Sequence, residues 1–553
     1  MTEPPFGLSD EQAEAMIGTT NVYLTACPGS GKTRSVAART AWLQERQKRV
    51  ALLSYTRVGA SEIARAVEEL HGIKLGRESY VGTLHSFLGR YVLRPFGHLV
   101  TCSAQPVVMN HDAVTRRHYP GMDAQNYVFD TDGSVHAKKP KHDSSSAMLE
   151  AIKDFKTETA AVGLVNYDDA LYWSYRVLND HPDLADAVVR RFDEILIDEA
   201  QDCSPLQVAC LRALVEAGLT SLVLVGDFDQ SIYGFQGAAP QLCESLAEDA
   251  NLGQHPLKEN YRSSQLICDL SARFRRVSEP DKAVGLDADC ATPPLLILYA
   301  TNDTPALKQR FTEILDGLDE DAATSVILAR NKRLAAAIRG HDFRWLPDWA
   351  ETLIAARNAG ETVGLETVKK IEDLLLGHAA ERLPADSWSI KGDVVRAAAM
   401  GLATKLSELE GDMQQWLNQS RQLVLAAIAE LAPAIASATI QLAAPTGFDE
   451  IDATIYAETD DAQHRVESVH AVKGESVDAV MLVAEEPDAD WKTPQASDWA
   501  RMLDEAMTPT EEIRIFYVAV TRARRVLVLA LPDSTPQLII DKYVIAGFQL
   551  QSE

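Results

Sequence analysis

The sequence lacks the features that mark secreted, membrane-bound or metal-binding proteins. It contains no apolar run of about 18 residues, so no membrane-spanning helix is predicted. Its first residues, MTEPPFGLSDEQ, lack the basic start and apolar core of a signal peptide, and a cytoplasmic location is therefore expected. None of the seven cysteines forms a C-x-x-C pair, which argues against a zinc site, an iron–sulfur site or a disulfide framework.

Basic residues are also scarce. The 53 lysines and arginines are outnumbered by 80 acidic residues, and the formal net charge is −27. A generally basic surface is the usual footprint of nucleic-acid binding, so any contact with nucleic acid has to come from a local groove. The remaining composition, 46% hydrophobic and 24% charged, is ordinary for a globular protein, and 553 residues suffice for three or four domains.

One segment has the pattern of a phosphate-binding loop. An apolar run from Val22 to Thr25 is followed by a glycine-rich turn and then by a sequence suited to a helix. Such a turn presents backbone N–H groups and the positive end of a helix to an anion. The lysine of this pattern reaches the β- and γ-phosphates of a nucleotide, and the following hydroxyl is a ligand for Mg²⁺. The predicted loop consists of Ala26, which stands where the strict pattern has glycine, Cys27, Pro28, Gly29, Ser30, Gly31, Lys32 and Thr33.

Two further apolar runs end in polar residues suited to nucleotide hydrolysis. The run Glu194 to Ile197 leads into Asp198 and Glu199, where one carboxylate is suited to holding Mg²⁺ and its neighbour to activating water. The run SLVLVGDFDQ ends at Gln230, a neutral donor suited to detecting a γ-phosphate. Apolar strands that alternate with helices predict an α/β fold with parallel sheets, whose ligands bind at the carboxyl ends of the strands.

The order of the motifs resembles that of the superfamily 1 UvrD/Rep helicases, a family that also includes PcrA. Any one of these motifs is short, but their common order from residue 8 to about residue 530 is specific. The matching segments besides the phosphate loop are LSDEQ (8–12), LLSYTRVGASEIA (52–64), YVGTLHSF (80–87), IDEAQD (197–202), VGDFDQSIYGFQGA (225–238), KENYRSS (258–264), SVILARN (325–331), ESVHAVKGES (467–476) and FYVAVTRAR (516–524).

The resemblance implies two RecA-like P-loop motor domains that hydrolyse ATP with Mg²⁺. Arg262 and Arg522 would approach the γ-phosphate as arginine fingers, which neutralise charge on the transferring phosphoryl group. Thr33 and Asp198 would hold the metal. The remaining nucleotide contacts would come from Gln12 at the adenine edge, Tyr261 stacked on the base, Arg34 nearby and Glu475 at the ribose. Glu475 lies one residue earlier than in the usual KGLEF motif of the family.

The resemblance also implies binding of single-stranded or partly duplex DNA and travel in the 3′-to-5′ direction. Single strands are held by stacking bases on rings along a groove that follows the backbone, with little sequence specificity. The matching ring positions are Tyr55, His85, Phe87, Tyr233 and Phe235, of which Tyr55, His85 and Phe235 are favoured. The matching positions for phosphate contacts are Thr56, Arg57, Thr83 and His470.

The motifs divide the chain into two split motor domains. The first motor domain is predicted at 1–95 and 186–270, around an insert at 96–185. The second is predicted at 271–345 and 456–553, around an insert at 346–455. Apolar residues recur at helical spacing in the second insert, which therefore is predicted to be mainly helical.

Three functions fit these motifs. The first is a DNA-stimulated ATPase that moves along DNA and unwinds it. The second is a DNA-sensing ATPase subunit that regulates a partner nuclease in antiviral defence, as compact relatives do in phage-defence systems such as Gabija. The third is a scaffold with an inactive ATPase. The complete set of Lys32, Glu199, Gln230, Arg262 and Arg522 argues against the third.

Overall fold

The chain divides into two compact units in a computed structural model. One unit comprises Met1–Leu88, Leu178–Gly340 and Gln463–Glu553, and the other comprises Gly89–Val177 and His341–Ala462. The structure describes residues 5–109, 124–139, 142, 144–232, 234, 237–276, 279–318, 323–340, 348–358, 368, 370–372, 374–375, 392–409, 411–431, 442, 464–485, 499–500, 502–503 and 509–551.

The strands and helices have the following bounds. The strands are β1 (Val22–Ala26), β2 (Val50–Ser54), β3 (Tyr80–Thr83), β4 (Val108–Met109), β5 (Tyr127–Phe129), β6 (Val135–Ala137), β7 (Leu164–Val165), β8 (Glu194–Ile197), β9 (Leu222–Gly226), β10 (Gly253–Leu257), β11 (Glu259–Asn260), β12 (Lys282–Ala283), β13 (Leu295–Tyr299), β14 (Ser325–Ala329), β15 (Arg465–Ser468), β16 (Val477–Val483), β17 (Ala523–Pro532) and β18 (Gln549–Leu550). The α-helices are Asp10–Met16, Lys32–Glu45, Arg57–His71, Leu84–Leu88, Arg94–Phe96, His98–Thr101, Ser146–Ala161, Asp169–Asp180, Pro182–Val189, Pro205–Glu216, Pro240–Asp249, Gln265–Ser271, Ala306–Asp316, Lys332–Arg339, Asp348–Asn358, Gly392–Ser407, Met413–Leu431, Glu511–Val520 and Gln537–Ala546.

The first sheet brings three of the predicted motifs to one edge. Its strand order is β10-β1-β9-β8-β2-β3, and all neighbouring strands are parallel. The phosphate loop follows β1, the two acids follow β8, and Gln230 follows β9. Since β1 pairs with β9 and β9 pairs with β8, the three motifs leave adjacent strands at their carboxyl ends. A parallel sheet places its ligand site at this edge.

Buried apolar strands and capped helices account for the local structure of this lobe. Strands β2, β8 and β9 are buried along their whole length, as expected of a sheet covered on both faces. Helices begin at side-chain caps: Ser9 and Ser204 form capping boxes, and Thr56 accepts a bond from the Gly59 N–H.

The second sheet lies in the same unit and is also fully parallel. Its strand order is β15-β14-β16-β17-β13-β18. The predicted fold class, two parallel α/β motor domains of the RecA type, is therefore confirmed. The helix Gln265–Ser271 falls within the predicted first motor domain, but Ile267, Leu270 and the following Phe274 belong to the hydrophobic core beside the second sheet.

The other unit is built from the two inserts. In the first insert, the β5–β6 hairpin lies near a buried cluster in which Phe129 stacks on Tyr172 with ring centroids 4.1 Å apart. In the second insert, the helices Asp348–Asn358, Gly392–Ser407 and Met413–Leu431 enclose a core that includes Trp349 and Trp416. The helical prediction for 346–455 otherwise falls on residues outside the described part. Among the described residues, no helix is long and apolar enough to cross a membrane.

Candidate active site

The phosphate loop has the backbone conformation that an anion cradle requires. Gly29 and Gly31 adopt φ angles of 79° and 80°, in the left-handed region that favours glycine. Gly31 caps the helix that begins at Lys32, so that the free N–H groups of the first turn face the loop. Ser30 closes the turn by donating through its hydroxyl to the Cys27 carbonyl at 2.8 Å. The loop and the first turn of this helix thus present backbone N–H groups beside Lys32.

Asn260 joins the phosphate loop to the segment that contains Arg262. Its amide donates to the Pro28 carbonyl at 2.9 Å, and its side-chain oxygen accepts from the N–H groups of Arg262 and Ser263 at 2.8 and 2.9 Å. The backbone N–H of Tyr261 donates to the Gly29 carbonyl at 2.9 Å. A Cβ at Gly29 would lie 2.6 Å from the Arg262 Cβ, so the close approach depends on glycine.

Gln12 supports the loop from the opposite side. Its side-chain oxygen accepts from the Ser9 N–H at 3.1 Å, and its amide donates to the Ser30 carbonyl at 2.8 Å. The side chain is buried, and a Cβ at Gly31 would lie 2.8 Å from its nitrogen. Gln12 therefore links the first helix to the phosphate loop, and this link does not depend on the predicted contact with adenine.

The two acids after β8 differ in protonation. Asp198 is buried and Glu199 is half-buried, and burial together with the neighbouring Glu199 raises the pKa of Asp198 to about 7. Burial also acts on Glu199, but Lys32 and Lys473 outweigh it and lower the pKa of Glu199 to about 2. Glu199 is therefore ionised at neutral pH, as a residue that accepts a proton from water must be.

Gln201 and Lys473 hold this acidic cluster. The side-chain nitrogen of Gln201 donates to the Glu199 carboxylate, and the side-chain oxygen of Gln201 accepts from the Asp227 N–H at 3.2 Å. Lys473, which comes from the second lobe, pairs with Asp202 at 2.6 Å, and both side chains are almost fully enclosed. Neither residue was predicted to have a role from the sequence, although both lie inside recognised motifs.

Gln230 and Arg522 meet across the two lobes. The Gln230 amide donates to the Asp227 carboxylate at 2.7 Å, and its oxygen accepts from Arg522 Nη2 at 3.1 Å. Arg522 is fixed by the carbonyls of Val518 and Glu475, at 2.9 and 3.2 Å. Burial lowers its pKa to about 10, so it remains a cation at neutral pH.

The Arg262 segment crosses to the second lobe as well. Arg262 Nη1 donates to the Thr521 carbonyl at 2.9 Å, and the Ser263 hydroxyl donates to the Ala523 carbonyl at 2.7 Å. Burial and the nearby Arg522 hold the pKa of Arg262 well below its usual range. The two guanidinium groups are therefore close enough to repel each other.

Three cations of the described site form no ion pair with a carboxylate. Within the described part of the chain, no carboxylate forms an ion pair with Lys32, Arg262 or Arg522, and the buried Nε of Arg262 has no hydrogen-bond partner. Lys32 and Arg522 both lower the pKa of Glu199, which places both cations around the same carboxylate. Buried cations are costly unless an anion compensates them, so the arrangement favours binding of a polyanion such as a nucleotide phosphate.

The predicted base and ribose contacts are arranged as follows. Tyr261 is 40% exposed, and its hydroxyl donates to the Glu259 carboxylate at 2.7 Å. Arg34 donates to the Gly7 carbonyl and lies near enough to Tyr261 to lower its pKa, although burial raises that pKa overall. The Glu475 carboxylate pairs with Arg465. Tyr261 is thus accessible to solvent, as stacking on a base requires.

The residues at the end of β8 fit a divalent cation. Mg²⁺ prefers oxygen ligands, and Asp198 and Glu199 place two neighbouring carboxyl groups at this strand end, where burial and then the charge of Glu199 raise the pKa of Asp198. The Thr33 hydroxyl, in the first turn of the helix Lys32–Glu45, is an exposed oxygen at the same edge of the sheet.

The residues predicted to contact DNA differ in exposure and in their hydrogen-bond partners. Thr83 is buried, and its hydroxyl bonds to Ser86, whereas Thr56 is exposed and caps a helix. His85 bonds to Gln207 at 3.2 Å and Tyr55 is half-buried. His470 lies beside the Ile232 backbone, and burial lowers the pKa of its imidazole. Three candidates, the side chain of Arg57 and the residues Tyr233 and Phe235, lie outside the described part.

Taken together, these features are those of a candidate P-loop nucleotide site of the RecA class, formed by residues of two parallel α/β lobes. Residues 8–130 and 122–251 match the family model of the UvrD/REP helicase N-terminal domain. The match covers most of the first lobe together with the predicted insert at 96–185, and it supports the resemblance inferred from the motifs.

Comparisons with curated proteins lead to the same family. The chain is 26% identical over 329 residues to the ATP-dependent DNA helicase srs2 of Schizosaccharomyces pombe, covering 51% of this chain and 36% of the relative. It is 27% identical over 288 residues to DNA helicase II of Escherichia coli, covering 47% and 39%. It is 23% identical over 461 residues to the ATP-dependent DNA helicase UvrD1 of Mycobacterium tuberculosis, covering 72% and 59%. The chain thus spans less than two thirds of each of these relatives.

Proposed function

We propose that the protein is a superfamily 1A motor that hydrolyses ATP to move along single-stranded DNA in the 3′-to-5′ direction and to unwind duplex DNA. The observation that carries this proposal is the unpaired positive charge of Lys32, Arg262 and Arg522, contributed by both lobes around the ionised Glu199. An ATP triphosphate supplies the missing anion. The predicted domain boundaries at 95, 185, 270, 345 and 455 are part of this proposal.

Each group at the site has a defined task in the proposed reaction. Lys32 and the loop N–H groups bind the phosphates, and Glu199 accepts the proton of the attacking water. Bound Mg²⁺, held by Thr33 and Asp198, would supply positive charge to the phosphate oxygens. Gln230 senses the γ-phosphate, while Arg262 and Arg522 stabilise the charge that develops on it. Gln12, Tyr261 and Glu475 would bind the nucleoside.

Movement would follow from the way the phosphate links the lobes. Arg522 belongs to the second lobe and touches Gln230 of the first, so a γ-phosphate bound beside Gln230 would be contacted from both lobes. Loss of that phosphate removes the anion that holds these cations together. The relatives named as DNA helicases support DNA as the track, with bases stacked on the ring candidates.

The first test concerns Glu199. Glu199→Gln keeps the size of the side chain but cannot accept a proton, so kcat for ATP hydrolysis should fall at least about a hundredfold while ATP still binds. Glu216→Gln, an exposed acid of the same lobe, is the matched control and should keep normal turnover. Normal turnover in Glu199→Gln would remove Glu199 from its role.

The second test concerns DNA. ATP hydrolysis by the purified chain is measured with and without single-stranded DNA, and strand separation is followed on duplexes with a 3′ or a 5′ overhang. Stimulation by DNA and unwinding from the 3′ overhang support the proposal. A different result would be DNA-stimulated hydrolysis by a chain that separates strands only after a partner nuclease is added. That result would instead favour a DNA-sensing subunit of an antiviral system. Hydrolysis that no DNA stimulates would refute both.

A further inference from the structure

Strand β17 is irregular directly after the arginine finger of the second lobe. At the start of the strand, Ala523 pairs with Val477 of β16. The next pair joins Ala479, two residues further along β16, to Val526, which lies three residues beyond Ala523. The extra residue of β17 makes a β-bulge, and bulges bend a strand and re-aim the side chains beside it.

The two residues inside the bulge are arginines, and one carboxylate binds both. Arg524 Nε donates to Asp287 Oδ2 at 3.0 Å, and Arg524 Nη2 lies 2.9 Å from the same oxygen. Arg525 Nε donates to Asp287 Oδ1 at 2.6 Å. Consecutive side chains of a regular strand point to opposite faces of the sheet, so the bulge is what lets both arginines turn to one carboxylate. Arg524 also lies 3.6 Å from the Asp478 carboxylate of β16.

Asp287 is suited to holding this bulge in one conformation. Its side chain is buried, whereas Arg524 and Arg525 are half-buried. A buried carboxylate is costly unless cations pair with it, and charge-assisted bonds to arginine are strong. The fold therefore favours the conformation of β17 that brings both guanidinium groups to Asp287.

The turn that carries Asp287 is itself fixed. The Val284 N–H donates to the Asn260 carbonyl at 2.8 Å, which extends the pairing of β11 with β12. The next residue, Gly285, packs so closely on the Tyr261 backbone that a Cβ has no room there. Asp287 is thus a carboxylate in a constrained position, against which the bulge is held.

We propose that Asp287 is a positioning residue that holds the β17 bulge and so aims Arg522 at the γ-phosphate. The Arg522 carbonyl accepts from the Val477 N–H at 3.0 Å, so the backbone of the finger enters the β16–β17 ladder directly before the bulge. A change in the bulge therefore changes how Arg522 reaches Gln230. Asp287 has no contact with the nucleotide in this role. The inference rests on the proposed ATPase function.

Removing the charge of Asp287 should slow hydrolysis more than it weakens ATP binding. In Asp287→Asn the two arginines lose their common anion and repel each other, so the bulge relaxes and Arg522 is displaced. A small displacement of a catalytic group costs up to about a hundredfold in rate, so kcat should fall at least about tenfold. KM for ATP should stay within about threefold of the wild type, because the displaced finger mainly loses contact with the transition state. Asp287→Glu keeps the charge and should recover part of kcat.

A double substitution separates positioning from general stability. In Arg522→Ala the finger is absent, so the further change Asp287→Asn should lower the rate by less than about twofold, because residues that act as a unit are not additive. A purely structural role gives the same loss in both backgrounds. The rate is measured with the full chain, radiolabelled ATP and saturating single-stranded oligothymidine in single turnovers, since Arg522→Ala is itself slow.

Asp193→Asn is the matched control. Asp193 also pairs with two consecutive cations, Lys48 at 3.5 Å and Arg49 at 3.1 Å. It directly precedes β8 and so lies at the amino end of this strand, at the edge of the first sheet away from the phosphate loop. Its substitution should keep kcat within about twofold of the wild type, because distant sites act independently.

A second pair of variants keeps the test valid if Asp287→Asn does not fold. Arg525→Gln removes one of the two cations at a half-buried position and should lower kcat at least about threefold, while Arg49→Gln, its control, should not. An unchanged kcat in Asp287→Asn or Arg525→Gln, an equal loss in the controls, or an undiminished loss in the Arg522→Ala background overturns the inference. A wild-type chain that hydrolyses no ATP overturns the proposed function, and the inference falls with it.

Discussion

Replacing Asn260 tests whether one side chain organises the catalytic loops. In Asn260→Ala, three hydrogen bonds are lost, with the Pro28 carbonyl and with the N–H groups of Arg262 and Ser263. At a net value of about 1 kcal/mol each, the loss of stability is about 3 kcal/mol, and more if the buried backbone groups stay unpaired. Calorimetry should show this as a lower thermal midpoint of the unit that contains both sheets.

The same substitution should slow hydrolysis, because Arg262 loses the contact that sets its backbone. An arginine finger contributes about 10³-fold or more to phosphoryl transfer, so partial displacement should lower kcat at least about tenfold. Asn260→Asp is the matched variant: it still accepts from both N–H groups but no longer donates to Pro28. It should keep more of kcat than Asn260→Ala while weakening ATP binding. If Asn260→Ala kept both its thermal midpoint and a kcat within about twofold of the wild type, the proposed linkage through Asn260 would be wrong.

Two further predictions concern stability. Arg39→Met breaks a fully enclosed pair with Glu194 at 2.7 Å and should cost about 3 to 5 kcal/mol in chemical denaturation, whereas Lys74→Met, which breaks an exposed pair, should cost less than about 1 kcal/mol. Equal effects would refute the role assigned to burial. His464 is buried against the Thr312 hydroxyl, and burial lowers the pKa of its imidazole. Folding therefore favours the neutral imidazole. The contribution of His464 to stability is present above pH 6.5 and is lost as the pH falls below that value. His464→Phe should therefore reduce the loss of thermal midpoint between pH 7.5 and about pH 5.5, and an unchanged loss would exclude His464 as its source.

The motifs at strand ends were predictable from the sequence because they depend on local chemistry. Glycines spaced in this way before Lys32 and Thr33, directly after an apolar strand, are specific to a phosphate-binding loop. Strand β8 begins and ends where the run Glu194 to Ile197 predicted. The parallel sheets follow from apolar runs that alternate with helices. Each of these predictions uses residues that are neighbours along the chain.

The contacts between lobes were not predictable in the same way. Ile232 and Arg514 each touch groups of the other lobe that are distant in sequence, and Asn260 joins distant segments within the first lobe. The motifs that contain Ile232 and Asn260 do not reveal these contacts. Gln12 illustrates the converse. The resemblance implies a contact with adenine, but the fold also ties the Gln12 side chain to Ser30, a link that no motif spacing reveals.

The net charge of the whole chain was a poor predictor of an anion-binding site for a related reason. Many cations of this acidic chain are neutralised by a specific carboxylate, as Lys156 is by Asp169 and Arg330 by Glu512. Those pairs stabilise structure and attract no further anion. Lys32, Arg262 and Arg522 differ because no carboxylate in the described ranges pairs with them, so their charge remains available to a ligand. The net charge of −27 counts the cations that are paired with carboxylates together with those that are not. The affinity of the site for a polyanion depends on the unpaired cations.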